Sequence, residues 1–199
     1  MPDRMIFDLD PDLSVPFSDV KNAALEVKKR LQKTGLQSLL KCTGGKGLHI
    51  VVPLAPTNRW EEVKRWASVL AHQMVEQAPD RYVATITKSK RKGKILIDFF
   101  RNDYTATGIA SYSLRARPGS PVAVPLEWRE LPRIQRGNQF AMHAVLKRIN
   151  RQLSQKAPPK QRLPKLETER IEMHARKTRD ITDGSVARRS ITKGERMAV

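Results

Sequence analysis

Hydrophobic positions along the first 150 residues follow two rhythms, and the rhythm predicts the elements. MIFDLDP, residues 5 to 11, alternates side-chain character with the period of two that marks a half-buried strand. Phe17, Val20, Ala24, Val27 and Leu31 then recur at helical spacing, and Gly35 follows as a stop. LQSLLKC reads as a strand, TGGKG as a loop and LHIVVPL as a second strand. Asn58, with Glu61 three residues on, reads as a capping box. The helix behind it turns Val63, Trp66, Leu70 and Met74 to one side, and Pro79 lies past its end. YVATIT and KILIDFF read as strands around the basic link KSKRKG, and residues 108 to 114 as a further strand. GNQFAMHAVLKRINRQL reads as a closing helix. This order is not a strict β-α-β alternation. The predicted class is therefore α+β, a mixed and largely antiparallel sheet with flanking helices, rather than a doubly wound parallel sheet.

Beyond residue 154 the rhythm stops. Residues 155 to 199 hold almost no aromatics, few large aliphatics and the proline-rich PPKQRLP. Such a segment buries too little apolar area to offset ordering its backbone. The expected organisation is a catalytic core at 1–154 and a mobile basic tail at 155–199, with a short helix near 166–177.

Charge narrows the partners. Among 199 residues, 38 are basic and 20 acidic, a formal net charge of +18. That excess suits a polyanionic partner: nucleic acid, nucleotide phosphates or an anionic membrane surface. No run of about 18 apolar residues exists, so no membrane span is expected, and no signal peptide is visible. Cys42 is the only cysteine, which excludes intrachain disulfides and cysteine-rich zinc sites. A reducing cytoplasm is the simple expectation.

Four stretches could carry chemistry. Asp8 and Asp10 stand at i and i+2 in the opening strand and would share one face, with Phe7 and Leu9 turned to the core. Two close carboxylates repel unless a cation or water separates them. Asp98 lies inside KILIDFF, where a lone buried carboxylate is costly. Should its strand lie beside the first, three carboxylates converge into a Mg²⁺ or Mn²⁺ site; otherwise Asp98 and one of the pair end their strands as solvated turn residues. TGGKGLHI offers glycine N–H groups and Lys46 to phosphate oxygens, with His49 in reach, or is simply a glycine-rich hairpin. Gly47 stands where a Walker A loop needs Ser or Thr. KSKRKGK is a solvated hairpin tip or a contact to a phosphate backbone. In SYSLRARPG, Arg115 and Arg117 would share a strand face, with Arg101 able to join them; Arg forks suit phosphate, and an edge-strand charge pair is the plain alternative. His72, His143 and His174 lack ligand-like spacing, and Trp60 and Trp66 read as core.

Taken together, these residues resemble the polymerase domain of bacterial DNA ligase D, within the archaeo-eukaryotic primase superfamily. FDLDP resembles its metal-binding aspartate motif, and KCTGGKGLHIVVPL its lysine–threonine–serine–glycine–glycine block. VATITKSKRKGKILIDFFRND and ATGIASYSLRARPGSPVAVPLEW resemble its remaining signatures. The resemblance implies a primase-like (RRM-like) core in which Asp8, Asp10 and Asp98 hold two Mn²⁺ or Mg²⁺ ions. It implies that Thr43, Lys46 and His49 hold the triphosphate of an incoming NTP or dNTP, with Arg115 and Arg101 nearby. Thr43 stands where the family usually has serine. The implied reaction adds nucleotides to DNA ends or a primer–template during non-homologous end joining, beside separate ligase and end-binding proteins in a bacterial nucleoid. Family members carry a long region before the aspartate motif. The resemblance thus implies an N-terminally truncated chain that keeps the metal and triphosphate half of the site. The alternative reading is a catalytically impaired fragment that binds nucleic acid or nucleotide. FDLDP also echoes the nucleophile loop of haloacid-dehalogenase-type phosphatases, but Pro11 and Asp12 follow where that loop continues into Gly-Thr.

Overall fold

The opening alternation does form a strand. In the computed structural model, which describes residues 1–153 and 163–167 (side chains of 151–153 excepted), β1 runs over Arg4–Pro11. α1 (Phe17–Lys33) buries Val20, Ala23, Ala24, Val27 and Leu31 and stops before Gly35 at φ +79°. β2 (Leu39–Cys42) and β3 (Leu48–Pro53) form a hairpin around the glycine loop. α2 (Trp60–Gln77), β4 (Tyr82–Val83), β5 (Ile95–Asp98), β6 (Val124–Leu126) and α3 (Met142–Leu153) follow.

The six strands make one sheet in the order β4-β5-β1-β3-β2-β6. All pairings are antiparallel except β4 with β5, so the α+β class holds. Register fixes two faces. Ile97, Leu9, Leu48, Cys42 and Val124 stand opposite one another in turn and are almost fully buried. This is the core face, with α1 packed on β3 and β1, and α2 on β1 and β4. Each such large side chain contributes about 1.5–3 kcal/mol by leaving water. The side chains between them, Asp8 and Asp10 among them, point to the other face.

Four local expectations need correction. Residues 108–114 are not a strand. They fold back on 121–123 as an irregular hairpin, through Tyr112 N–H to Ala123 O and Arg115 N–H to Pro121 O, with one bridge at Leu114–Val122. Pro118 and Gly119 interrupt the run, and Tyr112 and Ser120 take positive φ, which no ladder accommodates. Only Tyr82–Val83 of YVATIT pairs. The N-terminal cap of α2 lies one residue later than expected: the Glu62 carboxylate accepts the Arg59 N–H at 2.7 Å. The closing helix starts at Met142, not at Gly137, because the residues before it are used elsewhere.

Residues 163–167 fall within the predicted tail. There Leu166 is buried and Pro164 O accepts the Ala55 N–H. The remainder of that prediction, including the helix near 166–177, lies outside the described residues, as does His174. Trp66 is core, whereas Trp60 is half-buried and meets the exposed Tyr104 ring edge-on. His72 and His143 are on the surface. No helix among the described residues is long and apolar enough to cross a membrane.

Candidate active site

Antiparallel pairing sets Asp8 directly opposite Asp98 on β5 and, on its other side, opposite His49 on β3. His49 in turn stands opposite Lys41 on β2. Asp98, Asp8, His49 and Lys41 thus form one row across four adjacent strands on the open face of the sheet. Asp10 follows two residues along β1 on the same face.

Side-chain pairing balances this row. Arg101 Nε lies 3.2 Å from Asp98 Oδ2 and 3.6 Å from Asp8 Oδ2. His49 Nε2 is 3.3 Å from the same Asp8 oxygen, and its Nδ1 is buried with no hydrogen-bond partner. Lys46 Nζ is 3.1 Å from Asp10 Oδ1, while Arg91 pairs with Asp10 Oδ2. Burial works to raise the Asp8 carboxyl, but His49 and Arg101 outweigh it and hold the group below the ordinary carboxylate range. Asp98 goes the other way. Burial pushes it up against the pull of Arg101, and the negative charges of Asp8 and Asp10 add to the rise.

Among the described residues, no group of three His, Cys, Asp or Glu side chains is gathered closely enough to hold a metal ion. Arg101, Lys46 and Arg91 neutralise the carboxylates instead. The donor set still fits a hard divalent cation. It is all carboxylate oxygen on one face, and Asp98 shares the Arg101 guanidinium with Asp8.

Beside the row opens a cavity of about 450 Å³. Asp8, Asp10, Lys46, His49, Arg101, Arg115 and Arg117 line it, together with the 43–47 loop and residues 107–109. Seven of the eight predicted site residues therefore meet in one cavity, and Asp98 joins through its pairing with Asp8 and Arg101. Arg115 and Arg117 reach the cavity from an irregular segment, not from the expected strand. Thr43 is occupied by the loop itself: its hydroxyl donates to Gly47 O and accepts the Gly45 N–H, both at 3.1 Å. A Cβ on Gly47 would stand 2.0 Å from Leu9 O, so only glycine lets the loop lie this close to β1.

Sequence reasoning missed four contributors. Lys41 is 7% exposed and donates to Ile109 O at 2.6 Å, tying down the 107–109 segment. Burial, with Arg4 nearby, lowers its pKa. A hairpin closed by a five-residue loop already sets 41 opposite 49, so this one was readable. Arg91 belongs to a short 3-10 turn, Lys88–Arg91; nothing local separates it from its basic neighbours. Asn102 is 2% exposed. Its amide receives the Ile6 N–H at 2.7 Å and donates to Ile6 O and Phe99 O at 2.8 Å. It stands in for the next rung of the β1–β5 ladder where β5 turns away, one residue after Arg101. The fourth, Gly137, lies 90 residues beyond Gly47 in the chain, yet its carbonyl accepts the Gly44 N–H at 3.1 Å.

Residues 1–156 match the family described as LigD, primase-polymerase domain. The chain belongs to that family. The multifunctional non-homologous end joining protein LigD of Pseudomonas aeruginosa is 38% identical over 149 residues, 75% of this chain and 18% of that protein. The bifunctional LigD of Bacillus subtilis is 28% identical over 152 residues, 76% of this chain and 25% of that protein. This LigD primase-polymerase chain thus spans a quarter or less of those relatives. Its fold matches a solved structure described as the polymerase domain of Mycobacterium tuberculosis ligase D in complex with DNA. There the TM-score is 0.70 at 34% identity, covering 75% of this chain and 52% of that one.

Proposed function

We propose that the chain is a nucleotidyltransferase that adds nucleotides to DNA 3′ ends during non-homologous end joining. The observation that carries this reading is the meeting, on one open sheet face, of three carboxylates with a cavity lined by cationic side chains. Membership of the LigD primase-polymerase family supports it.

In the reaction the 3′-hydroxyl oxygen attacks the α-phosphorus of an NTP or dNTP. The bond from that phosphorus to the β-phosphate oxygen breaks, pyrophosphate leaves and the hydroxyl proton passes to water. Asp8, Asp10 and Asp98 are the residues that would hold Mn²⁺ or Mg²⁺. A bound divalent ion supplies Lewis-acid stabilisation of the charge that builds on the phosphate oxygens. Lys46, Arg115 and Arg117 bind the triphosphate by charge, Arg by its planar fork and Lys as a point charge. His49 is held by Asp8 through Nε2, which leaves Nδ1 for a ligand. Thr43, which lines the same cavity, braces the loop through its hydroxyl. Arg101 holds the carboxyl groups of Asp8 and Asp98 by charge and faces the cavity in which the nucleotide would lie. Exposed Lys88, Lys90 and Lys92 extend the positive surface toward DNA. Ligation and end recognition fall to other modules or proteins.

The test is Mn²⁺-dependent extension of a primer–template by the purified chain. Extension that Asp8→Ala and Asp98→Ala both abolish is the expected result. Extension that survives both changes removes the carboxylates from the chemistry. Salt-sensitive DNA binding with no extension under either metal replaces the reading with a binding module.

A further inference from the structure

We infer that Gly137 is a positioning residue: it sets the place of the 43–47 loop and, through Lys46, the seat of the nucleotide's triphosphate. The inference rests on the nucleotidyltransferase reading above. Gly137 lies in the turn that precedes α3, buried against the loop. Its carbonyl accepts the Gly44 N–H at 3.1 Å. A Cβ added to it would meet Gly47 O at 2.6 Å, Gly45 O at 2.8 Å and Gly47 N at 3.1 Å. All three are backbone atoms, which cannot swing aside as a side-chain tip does. Gly137 is not among the residues with positive φ, so the requirement is space and not conformation.

Two of the directions in which the loop could yield are already taken. Gly47 already stands against Leu9 O on β1, and the position of a Gly44 Cβ is taken by Arg115 Cγ at 2.7 Å. Gly45 and Gly47, whose backbone atoms a Cβ at 137 would meet, flank Lys46, a cation of the cavity wall paired to Asp10. Any bulk at 137 is therefore passed to the Lys46 ammonium and to the Gly45 peptide. The turn that presents Gly137 is itself braced, because Gln139 Oε1 accepts the Gln135 N–H at 2.8 Å and the Arg136 N–H at 3.4 Å.

The experiment uses the full chain with ATP and Mn²⁺ in titration calorimetry, and in parallel the binding of a labelled DNA duplex with a recessed 3′ end. Gly137→Ala weakens ATP about tenfold, with DNA affinity unchanged, and raises KM for the nucleotide more than it lowers kcat. Gln139→Leu, which loosens the turn without adding bulk at the loop, weakens ATP about threefold. Asn138→Ala, at an exposed position in the same turn, changes neither. Unaltered ATP affinity in Gly137→Ala overturns the inference. So does an equal loss of ATP and DNA binding, which marks a merely structural residue. If Gly137→Ala does not fold, Gln139→Leu decides, and unaltered ATP affinity there overturns it. Wild-type chain that binds no ATP overturns the nucleotidyltransferase reading itself, and this inference with it.

Discussion

The two halves of the site are built by different means. The acid half stands on three neighbouring strands, where antiparallel register alone puts Asp98, Asp8 and His49 side by side. The phosphate half hangs on loops, where Gly47 lies against Leu9, Gly44 under Arg115, and Gly45 over Gly137. A strand tolerates a changed side chain because the ladder persists. A loop held by backbone-to-backbone approach has no such reserve. The acid half should therefore lose function without losing structure, and the glycines inside the 43–47 loop should lose both.

The largest expected effect breaks function alone. Asp8→Ala or Asp98→Ala lowers primer extension by about a thousandfold or more, while circular dichroism and the melting temperature stay near the wild-type values. Gly47→Ala should do the reverse first. Its Cβ would collide with the Leu9 carbonyl, so stability falls by about 3 kcal/mol or more in denaturant titration, and nucleotide binding goes with it. Asn102→Ala sharpens the contrast, since it attacks the one place where the acid half relies on a side chain to continue a strand. Losing the three hydrogen bonds to Ile6 and Phe99 costs about 2–4 kcal/mol and lets Arg101 drift from Asp8 and Asp98.

Smaller effects lie outside both halves. The Arg148 guanidinium, together with the Glu127 N–H, holds the Glu130 carboxyl below its usual range. A carboxyl with a depressed folded pKa contributes stability above its unfolded pKa, which disappears as pH falls through the folded one. Glu130→Gln should thus lower the free energy of unfolding at neutral pH by about 1 kcal/mol in denaturant titration, and the difference should vanish in acid. Smallest of all, Cys42 is fully buried and its thiol is pushed up to about 12. Iodoacetamide at pH 8 should leave it unmodified until the chain unfolds, with no effect on extension.

This same division explains what could be read in advance. Period two put Asp8 and Asp10 on one face and Phe7 and Leu9 on the other, because a strand's geometry is local. The hairpin about TGGKG carried enough information to set Lys41 opposite His49. Loops carry no such rule. Residues 108–114 alternate well enough to suggest a strand, yet the proline and glycine beyond them turn the chain into an irregular hairpin, and the last strand forms at Val124–Leu126 instead. Arg115 and Arg117 were identified for their chemistry while their element was misread. Arg91, Asn102 and Gly137 left no local signal. Each owes its place to a partner far along the chain: Asp10, Ile6 and the Gly45–Gly47 backbone.

The carboxylate row itself is tested most directly by following Mn²⁺ in solution through its paramagnetic resonance, with nucleotide present, for wild-type chain and Asp98→Asn. Wild-type protein is expected to take Mn²⁺ out of the free pool, and Asp98→Asn, folded and with its neighbours intact, to lose most of that capacity. Equal Mn²⁺ uptake by the two would show that Asp98, for all its nearness to Asp8, has no part in holding the ion.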